Sequence, residues 1–379
     1  MKKHRNIGLS LYGLFFFCVC IVPVVANGGG NLSAKTSFSR SDLQGSWNLA
    51  GFGKYYLNPG FFTIYSSFSL DPSGNVTEGK WSEISVDVND KVTGGSFSIT
   101  EQGSVEGFIN SNIGGRHTLY GGQMSQGKDV IVYAGQYPYL DKGFGLLVKK
   151  SGSSAVADLE GTWVFPFEGS EQRGPSLLAF HGVCSIKIDN TGTIKECALS
   201  TDSNTKSVCE GALSVSPQGA ITGQLRFTGS KKLDIQVTYG LINADKTLMI
   251  FSGWVAQNFE GISTFAIKKG GTFSSRDAEG TWKISMNDYM NAIYGEISVD
   301  GSGTVVGGNW KQIGSASGTF TGGHFAITDQ GEISGFVNTS TGETYKFFRG
   351  QMSQKKDFMG IMQEENAGHS GVVILLKSP

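Results

Sequence analysis

The chain carries one domain-sized motif three times, and this repeat constrains its fold more than any other feature. Asp42-Leu43-Gln44-Gly45-Ser46-Trp47 recurs as Asp158–Trp163 and again as Asp277–Trp282. A repeat of fixed period means that each copy must be interpreted as one structural unit. The tryptophan spacings, 163 − 47 = 116 and 282 − 163 = 119 residues, predict three domains of similar size in tandem.

Two tight turns recur in the same order inside each copy. Asp begins the first turn and Gly closes it, because Asp bonds its own backbone two residues on and Gly supplies a positive φ. The second turn is a Gln-Gly pair between short alternating runs, which is the sequence signal of a hairpin. The turns are Asp71–Gly74, Asp189–Gly192 and Asp300–Gly303, then Gln102-Gly103, Gln218-Gly219 and Gln330-Gly331.

Composition favours many short strands in each copy. Gly is frequent and Pro rare, at 55 and 8 residues, and Phe contributes 25. No helical period of useful length is found, and about eight strands with tight turns fit into one copy. A meander of that length hides both edges by closing into a barrel. We therefore predict an all-β chain of three tandem antiparallel up-and-down barrels, with a stacked sandwich as the alternative.

The repeat also sets the expected domain limits. The barrels are expected at residues 42–150, 158–269 and 277–379, separated by small, polar segments that suit linkers. Residues 27–41 are expected to form a flexible lead-in. The first and third copies share Gly-Gln-Met-Ser-Gln at 122–126 and 350–354, whereas the second copy has Tyr-Gly-Leu-Ile-Asn at 239–243.

The first 26 residues have the pattern of a signal peptide. Lys2, Lys3 and Arg5 precede an apolar run from Ile7 to Val25, and the small residues Val24 and Ala26 suit cleavage before Asn27. The alternative is an uncleaved membrane anchor. Cleavage predicts export to the periplasm, the outer surface or the medium, with no membrane span left in the mature chain.

Charge argues against nucleic acid as a partner. The formal net charge is −1, and loss of three basic residues with the signal gives −1 − 3 = −4. A mildly acidic chain without a basic run has no electrostatic footprint for nucleic acid.

Each copy begins with Gly-x-Trp and ends with an apolar strand followed by Lys. This arrangement resembles the calycin barrels, the group of lipocalins, fatty-acid-binding proteins and avidins. The resemblance implies that the Trp plugs one barrel end and the Lys lies across it, a cation–π arrangement. It also implies a small ligand in the barrel, although no counterpart of the biotin contacts is found. The plugs would be Trp47, Trp163 and Trp282, and the lids Lys149, Lys268 and Lys377.

Three cysteines of the mature chain lie in the second copy. Cys184 and Cys197 are equally distant from the centre of the turn at Asp189–Gly192, so we expect them to face each other and form a disulfide in an exported protein. Cys209 is an alternative partner for Cys197, since those two flank the next hairpin. The remaining thiol is then either buried or available for an intermolecular bond.

Catalytic and cofactor chemistry is not indicated. The mature histidines His117, His181, His324 and His369 do not recur at one place in the three copies, which argues against a duplicated catalytic triad or metal centre. The three cysteines lack Cys-x-x-Cys spacing for a metal. The sequence therefore predicts a non-enzymatic protein without a metal or cofactor.

Two functions remain open. Each barrel is expected to hold a small apolar ligand, which suits a chain rich in Phe and Ile. The alternative is a structural or interaction protein of the envelope or cell surface, with solidly packed barrels and a protein partner. The last strand, Val372–Leu376, is apolar on both faces, which predicts that its outer face is also buried, between copies or against a partner.

Overall fold

The computed structural model describes residues 37–379, except for ten short gaps. These are residues 55–60, 84–87, 138–141, 151, 174–175, 202–207, 229–232, 256–259, 289–290 and 365–369. The predicted signal peptide and nearly all of the predicted lead-in lie outside the described residues. Within the described part, no helix is long and apolar enough to cross a membrane.

The described residues form twenty-four strands, eight in each copy. The first barrel contains β1 (Gly45–Lys54), β2 (Phe61–Leu70), β3 (Val76–Glu83), β4 (Val88–Ile99), β5 (Ser104–Ser111), β6 (Gly115–Met124), β7 (Val130–Gln136) and β8 (Lys142–Lys149). The second contains β9 (Gly161–Arg173), β10 (Ser176–Ile188), β11 (Ile194–Thr201), β12 (Val208–Val215), β13 (Ile221–Thr228), β14 (Leu233–Ile242), β15 (Leu248–Val255) and β16 (Glu260–Lys268). The third contains β17 (Gly280–Asp288), β18 (Asn291–Val299), β19 (Val305–Gln312), β20 (Ser317–Ile327), β21 (Glu332–Thr339), β22 (Thr344–Met352), β23 (Phe358–Glu364) and β24 (Ser370–Lys377).

Within each copy, consecutive strands pair antiparallel, with the exception of β11 and β12, and the first strand also pairs with the last. The first and third copies are closed eight-stranded barrels. The second copy is a nearly closed barrel, because β11 and β12 are the two ends of its sheet and are joined by an isolated bridge at Thr193–Ala212. The prediction of three antiparallel, about eight-stranded barrels is confirmed.

A short helical turn precedes the first strand of every barrel. The turns are Arg40–Leu43, Val156–Leu159 and Ser275–Ala278. Each carries the Asp of the repeated motif, whose side chain accepts a hydrogen bond from the backbone N–H three residues earlier, at Ser39, Ala155 or Ser274. This is the local bonding expected at the start of a helix.

The Asp turns have the predicted geometry. In the first copy the Asp71 carboxylate accepts hydrogen bonds from the Ser73 and Asn75 N–H groups at 2.8 Å each, and Gly74 has a φ of 83°. The same pattern recurs at Asp189 and Asp300. The bond from the Asn75 N–H lowers the pKa of Asp71, and the Thr191 and Ser302 hydroxyls, together with backbone N–H groups, lower the pKa of Asp189 and Asp300. The repeated acids therefore act as turn formers.

Each barrel has its own apolar core. The first core extends from Phe38 to Leu147, the second from Leu159 to Ala266 and the third from Phe273 to Leu375, and no core shares a residue with another. The largest side chains that are fully buried include the three motif tryptophans, Trp47, Trp163 and Trp282. Barrels of eight strands have an interior that side chains can fill or that holds one small ligand.

A further apolar core lies between the barrels. In β7 the side chains of Val130 and Val132 lie in this shared core, whereas Ile131 between them lies in the core of the first barrel. In β24 the side chains of Val372, Ile374 and Leu376 also lie in the shared core. The outer faces of the final strands are thus buried between copies, which confirms the prediction from their two-sided apolar sequence.

The contacts between barrels run in one direction around a closed cycle. The last two strands of the first barrel pack on the first two of the third, at β17 and β18. The last two strands of the third barrel pack on β9 and β10 of the second barrel. The last two strands of the second barrel pack on β1 and β2 of the first. Each interface is heterologous, and the set closes after three copies as a cyclic oligomer does.

We predict that adding one methyl group to this shared core destabilises the protein. A Cβ at Gly360 in β23 would lie 2.7 Å from Cζ of Phe265 in β16, too close for either ring or backbone to stay in place. We expect Gly360→Ala to lower the free energy of unfolding by about 1–3 kcal/mol, the usual cost of overpacking. Urea denaturation measures it.

The matched control is Gly152→Ala, where a Cβ meets nothing within 4 Å. That variant should stay within about 0.5 kcal/mol of the wild type. Equal stability of the two variants would show that the second and third barrels do not pack as described.

Candidate functional site

One end of each barrel combines the motif tryptophan with the lysine of the last strand. The Lys149 ammonium lies 5.4 Å from the ring centre of Trp47, and the corresponding distances are 5.4 Å for Lys268–Trp163 and 5.3 Å for Lys377–Trp282. Each indole N–H donates to a main-chain carbonyl of the helical turn, at 2.7 Å in all three copies. Partial burial lowers the pKa of each lysine.

The same lysines also hold the helical turn. Lys149 Nζ donates to the Asp42 carbonyl at 2.8 Å, Lys268 to Asp158 at 3.1 Å and Lys377 to Asp277 at 3.2 Å. Because the indole bonds a neighbouring carbonyl, two side chains from the first and last strands bind one turn of main chain. The arrangement couples the two strands that close the barrel.

A second lysine, which the sequence analysis missed, reaches the same turn from the β6–β7 connection and its equivalents. Lys128, Lys246 and Lys356 have positive φ angles of 60°, 59° and 61°, and they are the described non-glycine residues with this conformation. Each pairs with the Asp carboxylate of the turn, at 2.9 Å from Asp42, 3.3 Å from Asp158 and 2.9 Å from Asp277. This lysine and its aspartate partner recur in all three copies, and that recurrence could have identified the pair from the sequence.

The middle barrel differs from the outer two at this end. Phe38 and Phe273 cover the ends of the first and third barrels, and Ser154 occupies the corresponding position of the second. Beneath them, Gln123 and Gln351 donate to the main-chain carbonyls of Gln102 and Gln330 at 3.0 Å. This explains the shared Gly-Gln-Met, because the glutamine side chain is hydrogen-bonded to the Gln-Gly turn beneath the phenylalanine.

The expected disulfide between Cys184 and Cys197 is wrong. Cys197 of β11 is bonded to Cys209 of β12, with 5.7 Å between their Cα atoms, and Cys184 is a buried free thiol. The error came from assuming a symmetric hairpin. A β-bulge between Lys187 and Ile188 shifts the register, so that Cys197 lies opposite Ile186 and Cys184 lies opposite Leu199.

The bond lies at the seam of the middle barrel. Cys197 and Cys209 join the two strands at the ends of its sheet, where the outer barrels have backbone ladders. At the position of Cys197 the first copy has Gly79, where a Cβ would lie 3.0 Å from the Cβ of Val92 on the next strand. The disulfide therefore bridges a place where neighbouring strands approach closely.

We predict one reactive thiol in the denatured protein and none in the native protein, in a chain expressed without residues 1–26 under oxidising conditions. Burial raises the pKa of the Cys184 thiol and blocks access to it. The Cys197→Ser/Cys209→Ser double variant should lose about 3 kcal/mol of stability, because a loop with a separation of 12 residues is no longer closed. Thiol titration and urea denaturation measure the two effects.

Cys184→Ser is the matched control and should leave the disulfide intact. A peptide map that contains a Cys184–Cys197 bond would contradict the assignment.

The interior of the first barrel contains a polar aromatic cluster. His117 is fully buried, and its Nε2 lies 3.1 Å from the Tyr133 hydroxyl. The rings of His117 and Tyr137 have centroids 4.0 Å apart and planes inclined by 33°. Glycines make the room, since a Cβ at Gly135 would lie 2.7 Å from the His117 ring. Burial lowers the pKa of His117 to about 3, so the imidazole is neutral in the folded protein at physiological pH.

We predict that His117 makes the protein less stable as the pH falls from about 6.5 towards 3. The unfolded chain takes up a proton near the ordinary histidine pKa, and the folded chain does not, so acid favours unfolding. The wild type should lose about 1.4 kcal/mol per pH unit relative to His117→Ile, which installs the residue of the middle barrel (Ile235). Urea denaturation between pH 4 and 7, a window of about three units, measures it.

Tyr133→Phe is the control, because it removes the hydrogen-bond partner but keeps the imidazole buried. It should lower stability at every pH and keep the wild-type slope. Parallel curves for wild type and His117→Ile would mean that the imidazole is solvated.

A smaller and a larger cavity lie between the barrels in the described part of the chain. The smaller, of about 20 Å³, is formed where the turns that contain Ser125, Asn243 and Ser353 converge. Buried Asp129 accepts from Asn243 there, at 3.1 Å, and Lys355 pairs with Asp245. Burial, followed by the neighbouring Asp245 charge, raises the pKa of Asp129. These polar groups bind each other across the three copies.

The larger cavity is a groove of about 410 Å³ between the first and third barrels. Tyr120 and Gln136 line it from the first barrel, and Tyr294, Lys311 and residues 312–317 line it from the third. The tyrosine rings lie with centroids 6.3 Å apart and planes inclined by 24°. The groove depends on packing between barrels and therefore could not be predicted from the sequence.

Among the described residues, no three His, Cys, Asp or Glu side chains converge closely enough to hold a metal ion. The side chains of His181 and His369 lie outside the described part, and His324 is in the third barrel, away from His117 in the first.

Comparison with known proteins gives a distant likeness in structure alone. No protein-family model and no curated protein sequence matches the chain. Among solved structures, transferrin binding protein B from serogroup B Neisseria meningitidis has 9% identity and a TM-score of 0.29 over 89% of this chain and 77% of that chain. A mutant of the Haemophilus parasuis Hp5 protein of that name has 11% identity and a TM-score of 0.27, over 88% and 75%. Kievitone hydratase from Nectria haematococca has 10% identity and a TM-score of 0.25, over 62% of this chain and 94% of that chain. TM-scores this low carry no argument about function.

Proposed function

We propose that the chain is an exported, non-enzymatic interaction protein in which three calycin-like barrels form a rigid scaffold and the binding surface lies outside the barrel interiors. The observation that carries this proposal is the division of the apolar residues. Each barrel has a filled core of its own, and a further core joins the three barrels. A scaffold whose parts share a core presents its surfaces in fixed relative positions.

The barrel ends support the proposal. Trp47, Trp163 and Trp282 are fully buried beneath helical turns that two lysines hold in every copy. We propose that these tryptophans and Lys149, Lys268 and Lys377 close the barrels permanently. A ligand entering at that end would have to break several hydrogen bonds to main-chain carbonyls.

The distribution of titratable groups supports a non-enzymatic role. The buried groups His117, Asp129 and Cys184 lie in the first barrel, at the barrel junction and in the second barrel, respectively. Catalysis by a nucleophile and a base needs both within hydrogen-bond reach. His117, Asp129 and Cys184 do not meet in this way, and the hydroxyl within reach of His117, that of Tyr133, is itself buried inside the first barrel.

A small apolar ligand in each barrel stays the competing prediction, and one experiment separates the two. Protein exported from a bacterial host is purified without detergent, weighed intact by native mass spectrometry, and extracted with organic solvent for lipid analysis. We expect the mass of the polypeptide alone and no stoichiometric apolar compound, because the interiors are occupied by side chains. One apolar molecule per barrel, released on extraction, would overturn the packed scaffold.

A further inference from the structure

The groove between the first and third barrels has filled counterparts at the other junctions. The first and second barrels meet through Tyr65 of β2 and Tyr239 of β14, whose rings stack with centroids 4.7 Å apart and planes 13° from parallel. Burial, together with the neighbouring Tyr239, raises the pKa of Tyr65. The junction of the second and third barrels buries Val183, at the position that corresponds to Tyr65, in the shared core.

At the groove, a glycine replaces one ring of that stack. Tyr294 of β18 corresponds to Tyr65, and Gly121 of β6 corresponds to Tyr239. Gly121 has a φ of 57°, and a Cβ there would lie 2.8 Å from Cγ of Tyr294, so the ring rests directly on the backbone. At this junction, therefore, a tyrosine-sized side chain is missing that the junction of the first and second barrels has.

The side chains around this space combine aromatic surface with neutral hydrogen-bonding groups. Tyr120 donates to Gln136 Oε1 at 3.3 Å, and Gln312 lies on the opposite wall. Lys311 is an exposed cation in the lining, and Lys142 Nζ lies 3.8 Å from the Cβ position of Gly314 at the groove wall. No carboxylate belongs to the described lining.

The geometry disfavours a peptide bound through secondary structure. The strands at the groove, β6, β18 and β19, are each hydrogen-bonded to both neighbours, so no edge is left for a peptide strand to join. An amphipathic helix needs an apolar groove, and Ile313 and Ala316 are the aliphatic side chains in the described lining. Its volume falls in the range of small-molecule sites.

Sugars match this lining better. The C–H face of a pyranose ring packs on the negative face of an aromatic ring, and sugar hydroxyls both donate and accept, as the glutamine amide does. Tyrosine with small polar residues also gives contact area at low entropic cost.

We infer that this groove binds a short oligosaccharide, with a sugar ring against Tyr120 and Tyr294, hydroxyls on Gln136 and Gln312, and Lys311 placed to pair with an acidic substituent. The assignment rests on the proposed function, since it places binding outside the barrels.

The test titrates the full mature chain with neutral trisaccharides, chitotriose and maltotriose, and with a galacturonic-acid trisaccharide, by calorimetry and saturation-transfer NMR. We expect at least one to bind with a Kd between roughly 10 µM and 1 mM. Tyr120→Ala and Gln312→Ala should each weaken binding roughly tenfold. Tyr120→Phe keeps the ring and should bind within about twofold of the wild type.

Charge is tested separately. Lys311→Met should weaken binding of the acidic trisaccharide at least about fivefold more than that of the neutral ones. Lys346→Met, an exposed lysine on the same barrel outside the described lining, is the matched control and should change neither. Melting curves establish that every variant is folded.

Three results would overturn the inference: no binding of any trisaccharide, binding that Tyr120→Ala and Gln312→Ala leave unchanged, or saturation transfer to a tripeptide mixture that Tyr120→Ala abolishes. None of them bears on the packed scaffold, which fails independently if a stoichiometric apolar compound is extracted from the barrels.

Discussion

The apolar outer faces of the final strands determine how the three barrels are arranged. A strand such as β24, with Val373 and Leu375 inside its barrel and Ile374 and Leu376 outside, cannot leave either face in water without cost. Each barrel therefore buries its last two strands on the first two strands of another. Three copies satisfy this requirement in a closed cycle, and every junction between barrels, filled or open, results from that packing.

A recurring set of polar bonds surrounds one helical turn at an end of each barrel. An indole N–H and a lysine bind main-chain carbonyls, and a second lysine pairs with the aspartate. The second lysine has a backbone conformation unfavourable for a side chain, and all three copies retain it. The strain is tolerated because the ammonium of Lys128, Lys246 or Lys356 reaches the Asp carboxylate from that position. The bonds at the barrel ends involve the inner faces of the first and last strands, whereas the packing between barrels involves their outer faces. The junctions between barrels can therefore differ although the barrel ends are alike.

Much of the architecture was predictable because it is local or repeated. Strands, Asp turns and two-sided burial of Val372–Leu376 follow from residue alternation, from Gly at positive φ and from a run of apolar residues. The pairing of Cys197 was not predictable, because one bulge at Lys187–Ile188 changes which residues face each other across the hairpin. The groove was not predictable either. Gly121 and Tyr294 are far apart in the chain, and each is unremarkable until the copies meet.

The sequence by itself determined the number of domains, their all-β class and the residues that recur at each barrel end, since these depend on periodicity and on short-range turn chemistry. Tertiary structure alone decided the disulfide partner, the cyclic order of the barrels and the place where a space remains between them. Those features depend on strand register and on contacts between distant copies. A shift of one residue in pairing, or one missing side chain at an interface, alters them without changing the repeat.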